Sequence, residues 1–150
     1  AVNPTLLGEA FKALIDNELQ ISRGMWAGNP HDTAEEWVNF ELDRYLSLGH
    51  VNHPESGCVI PALGAEIARA DTSVKELYAQ ELHKGVVILA KRLGSESLAW
   101  AFICQLVGAM VLARAMPTAK EKKAIIEASK QFLQRALQVQ STHGHTHPPS

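Results

Sequence analysis

ESLAWAFICQLVGAMVLARA, residues Glu96 to Ala115, decides how the rest of the chain must be read. Its apolar side chains fall on nearly every side of a helix rather than along one stripe, and such a helix must be covered on every side. The uncharged run from Leu98 to Ala113 is about 16 residues long and carries Gln105 and Gly108, short of the roughly 20 apolar residues of a spanning helix. It is therefore expected to be a core helix, with no membrane partner. Pro117 ends it, and Thr118 with Glu121 offers a capping box for a last helix to about Gln140. There Ile125, Ile126, Ser129, Phe132, Leu133, Ala136 and Leu137 share one face, and Lys, Glu and Gln fill the other.

Towards the N-terminus the chain offers four more helices. Asn3-Pro4 starts one that Gly28-Asn29-Pro30 stops, with Leu7, Phe11, Leu14, Ile15, Ile21 and Met25 recurring at steps of three and four. Asp32 and Thr33, each with a Glu three residues on, cap a second that runs to about Leu48 with Trp37, Val38, Tyr45 and Leu46 on one side. Gly49 to Gly57 is polar and rich in turn formers, and is expected to be a loop. A short helix follows over about Val59 to Ala70. Ser73 with Glu76 is expected to cap the next, whose stripe is Val74, Leu77, Tyr78, Leu82, Val86, Leu89 and Leu93, and Gly94-Ser95 separates it from the opening segment. No stretch shows the alternation of a strand, so the expected fold is all-α, a bundle of about six helices.

The 150 residues suit one compact domain, here residues 1–140, which buries on the order of 70% of its unfolded surface. Residues 141–150, with His143, His145 and His147 among small polar residues and prolines, have nothing to bury and are expected to form a flexible tail. A net charge of -2, with no basic run beyond Lys120, Lys122 and Lys123, excludes tight nucleic-acid binding by this chain alone. Cys58 and Cys104 lie in apolar sequence without Cys-x-x-Cys spacing and are expected to behave as small buried hydrophobes in a reduced, cytoplasmic setting.

The last two helices carry more apolar surface than four amphipathic neighbours can cover. Two copies meeting about a two-fold axis would bury the excess as a four-helix bundle. The expected homodimer face comprises Gly108, Leu112, Ile125, Ser129, Phe132, Leu133, Ala136 and Leu137. Gly108 fits, because a mid-helix glycine costs about 1 kcal/mol, which close helix approach can offset. The alternative is that the surplus is ordinary core.

The segment Gly57-Cys58-Val59-Ile60-Pro61-Ala62-Leu63-Gly64-Ala65-Glu66-Ile67-Ala68-Arg69-Ala70-Asp71 resembles the loop-to-helix junction of sensor domains in the tetracycline-repressor (TetR) family of transcription regulators. Leu106-Val107-Gly108-Ala109-Met110-Val111-Leu112-Ala113-Arg114-Ala115 is similar to that family's first dimerisation helix. The likeness is closest over about residues 57 to 116 and looser on either side. It implies an effector-sensing and dimerisation domain whose first helix passes ligand binding on to a helix-turn-helix. That module is not part of this chain, so operator DNA, with half-sites about one turn apart, would be reached only through it.

A sensor of this kind needs an apolar pocket with a few polar groups for a small hydrophobic effector. Candidate lining residues are Phe11, Ile15, Trp37, Phe40, Tyr45, Tyr78, Leu82, Trp100, Phe102 and Gln105, with Asn39 a further polar candidate. Plain core packing would place the same side chains at the same spacing. His50-x-x-His53 with Glu55 and Cys58 has ligand types suited to zinc but lacks paired spacing, so no metal and no cofactor are expected. Neither Glu-x-x-His, His-Glu-x-x-His, Gly-x-Ser-x-Gly nor a phosphate-cradling glycine loop occurs, and the chain is not expected to be an enzyme. The competing readings are a helical enzyme of another type and a dimerisation or partner-binding module without a small ligand.

Overall fold

The computed structural model describes residues 4–56, 58 and 60–143. These residues form α1 (Pro4–Ala27), α2 (Ala34–Tyr45), α3 (Leu48–Asn52), a 3₁₀ turn (Pro54–Ser56), α4 (Ile60–Ala68), α5 (Thr72–Leu93), α6 (Glu96–Arg114) and α7 (Ala119–His143), with no strand among them. The fold is all-α, as expected. Local chemistry explains most boundaries. Thr33 accepts the Glu36 N–H, Ser95 the Leu98 N–H and Thr118 the Glu121 N–H, while the Thr118 hydroxyl donates to the Glu121 carboxylate. Gly94 ends α5 in the left-handed region at φ 98°, its N–H on the Ala90 carbonyl.

Four local expectations need correction. The segment Gly49–Gly57 is not simply a loop: Ser47 accepts the His50 N–H and starts α3. Asp71, not Ser73, caps α5; its carboxylate accepts the Val74 N–H and the Ser73 hydroxyl, and the Ser73 bond, then the Val74 bond, holds it below the usual carboxylate range. Helix α7 runs past Gln140 to His143, so the start of the segment expected to be a flexible tail is helical, and the rest of it, residues 144–150, lies outside the described residues. Helix α6 is also, by length and composition, apolar enough to cross a membrane, although Phe102, Ile103, Leu106, Ala109, Met110 and Ala113 are buried in the protein.

The chain divides into two compact units. The first comprises Ala1–Asn29 and Pro54–Trp100. Its core gathers Ile15 and Leu19 of α1, Ile67 of α4 and Val74 of α5, with Phe11, Ile60, Leu63, Ala70 and Tyr78 against them. Further along the same two helices, Arg23 Nη2 lies 2.9 Å from Glu81 Oε2, and Arg23 Nη1 donates to the Glu81 carbonyl. A Cβ on Gly85 would come within 2.7 Å of the Trp26 ring. Positions rise together on both helices, so α1 and α5 run parallel. The inward stripe of α1 is therefore Phe11, Ile15, Leu19 and Trp26. Leu14, Ile21 and Met25, expected on the apolar face, are exposed.

The second unit comprises Pro30–His53 and Ala101–Ser150. Asn39 pairs with Gln134 (3.2 Å), Asp43 with Lys130 (3.4 Å) and Asn52 with Lys122 (3.0 Å). Numbers rise on one side as they fall on the other, so α7 runs antiparallel to α2 and α3. Trp37, Val38, Leu42, Leu46, Phe102, Leu106, Met110, Ile126 and Leu133 are its buried apolar residues, with others of the same kind around them.

Glycine substitutions should reveal the α1–α5 contact by sign. Gly64 in α4 has nothing within 4 Å of where a Cβ would stand, so Gly64→Ala should raise stability by up to about 1 kcal/mol. Gly85→Val should lower it by roughly 2 kcal/mol, because Trp26 must move. Chemical denaturation of both variants checks the pair.

Candidate functional site

The most distinctive surface belongs to the second unit. Residues of α6 advance about 100° each, so Ala101, Cys104, Gly108, Val111, Leu112 and Ala115 share one side of the helix line. All but the half-buried Gly108 are exposed, Val111 at 48% and Leu112 at 57%. No charged side chain interrupts this face. On its flank, Gln105 Nε2 donates to Ser129 Oγ of α7 at 3.2 Å, and three residues beyond Ser129 stands Phe132, 61% exposed. The remaining face residues expected from sequence, Ile125, Ala136 and Leu137, are half-buried, while Ser129 and Leu133 are buried within the protomer. Cys104, expected to be buried, lies on the open side of α6. The reason is that one side of α6 alone suffices for the core, so the side carrying Cys104 faces solvent.

The ten candidate lining residues fall in both units. In the first, Phe11, Ile15 and Tyr78 meet in the α1–α4–α5 core, Leu82 is half-buried and Trp100 is exposed. In the second, Trp37 and Phe102 are fully buried, and Tyr45 and Gln105 half-buried. Phe40 is exposed and lies 5.2 Å, centroid to centroid, from the His31 ring. Asn39, the further polar candidate, is engaged by Gln134.

Sequence reasoning did not anticipate the polar junction around His50. Its Nδ1 lies 2.8 Å from the Tyr45 carbonyl at the end of α2, and its ring stands edge-on to the Tyr45 ring at 4.5 Å. Arg114, the last residue of α6, donates from Nη2 to the His50 carbonyl (3.0 Å). Arg44, which also bears on His50 electrostatically, is paired with the buried carboxylate of Glu41. The junction fastens α2, α3 and α6 by hydrogen bonds between segments far apart in sequence, which no local motif announces. Burial, followed by repulsion from Arg114 and Arg44, pulls the His50 pKa below 6.5 against the opposing Tyr45 bond. In the first unit, the Lys84 ammonium (2.6 Å) and then Arg23 hold the buried Glu81 carboxyl below its usual range in spite of its burial. Among the described residues no group of three His, Cys, Asp or Glu side chains is placed to hold a metal ion.

Within each unit these arrangements make a cross-linked set of helices, and the second unit carries the open apolar face. The His50 junction has a measurable pH signature. Above pH 6.5 the ring is neutral whether the chain is folded or not. As pH falls below 6.5 the unfolded chain takes the proton first, so stability declines through the folded pKa and then levels off. The expected outcome is a loss of stability between about pH 7.5 and about pH 5.5 that shrinks in His50→Gln. An NMR midpoint for His50 at or above 6.5 would contradict the assignment.

No protein-family model, curated protein or solved structure matches the chain, so its likeness to tetracycline-repressor sensors rests on the two sequence segments alone.

Proposed function

We propose that the chain is the effector-sensing and dimerisation part of a TetR-like transcription regulator, acting in the cytoplasm as a homodimer and without enzymatic activity. The observation that carries the dimer is the uncharged α6 face with Phe132 beside it. A contiguous uncharged apolar face of this kind is what marks an interaction site on a protein surface. Leu112 and Phe132 would meet the partner first.

On this reading a small, mostly apolar effector is taken up among the candidate lining residues of the first unit. Phe11 and Ile15 of α1 and Tyr78 of α5 form the group that the first unit holds together. Helix α1 carries the response to a DNA-binding module outside this chain. The energetics require only that the effector bind one position of α1 better than another. The burial of Ile15, Leu19, Ile67 and Val74 in one apolar cluster favours a second reading, a dimerisation or partner-binding module without a small ligand.

Sedimentation equilibrium should find a dimer for the native chain and a monomer for Phe132→Asp and Leu112→Asp. A native monomer would end the dimer reading. A thermal-shift panel of small hydrophobic compounds separates the two readings, since a ligand at 100 times its dissociation constant adds about 2.7 kcal/mol. If no compound shifts the transition, the ligand-free module stands ahead.

A further inference from the structure

We draw no further inference here: the strongest candidate, the side-chain cluster of Arg44, His50 and Arg114 where α2, α3 and the end of α6 meet, belongs to the polar junction already described, in which Glu41 meets the Arg44 charge and the Arg114 Nε, without a hydrogen-bond partner among the described residues, is closed off from solvent.

Discussion

Helix α6 is apolar on more sides than its own chain covers, and the rest of the structure is arranged around that imbalance. One side holds Phe102, Ile103, Leu106, Ala109, Met110 and Ala113 out of water. The opposite side leaves Val111, Leu112 and Cys104 in it. An ordinary surface helix turns charged residues outward, yet between Glu96 and Arg114 α6 has none to turn. Its two charged ends are both occupied: Glu96 is 3.8 Å from His83, and Arg114 holds the His50 carbonyl.

Within each unit, apolar contact supplies the bulk of the cohesion and polar ties select the register. Sliding α1 by one turn along α5 would keep apolar residues against apolar residues, but would separate Arg23 from a Glu81 carboxylate that is 5% exposed and drive Trp26 into a side chain other than Gly85. Breaking one partner of a buried pair typically costs 3–5 kcal/mol, about the whole margin of many small domains. The same logic applies to α7, whose links to Asn39, Asp43 and Asn52 hold it in one register on α2 and α3. Their individual worth is small because Asp43 and Asn52 are exposed. Their value lies in agreeing on one alignment.

Much of this fold was legible in the chain because caps and stops are local. Thr33, Gly94, Ser95 and Thr118 work as their neighbours imply. What was not legible depends on partners distant in sequence. The stripe of α1 could be drawn through Leu14, Ile21 and Met25 or through Ile15, Leu19 and Trp26, and only the position of Gly85 on α5 favours the second. Helix α3 escaped because its sequence is polar and too short for periodicity; Ser47 and Tyr45 tie it locally, and the tie to Arg114 comes from a segment far along the chain. For the candidate site, Leu112 and Phe132 could be named from an apolar surplus. Cys104 and Val111 could not, because which side of an all-apolar helix faces out is decided by its neighbours.

Packing within the protomer gives no reason for a glycine at position 108, in the middle of α6. In a lone protomer, alanine would fit there without contact and would favour the helix by about 1 kcal/mol. Two copies double that disadvantage. Association must in addition overcome an estimated 4–15 kcal/mol of lost rigid-body freedom, while apolar burial contributes on the order of 25 cal/mol per Å². In the dimer proposed above, a missing side chain on the shared face would allow closer packing at the expense of the isolated helix.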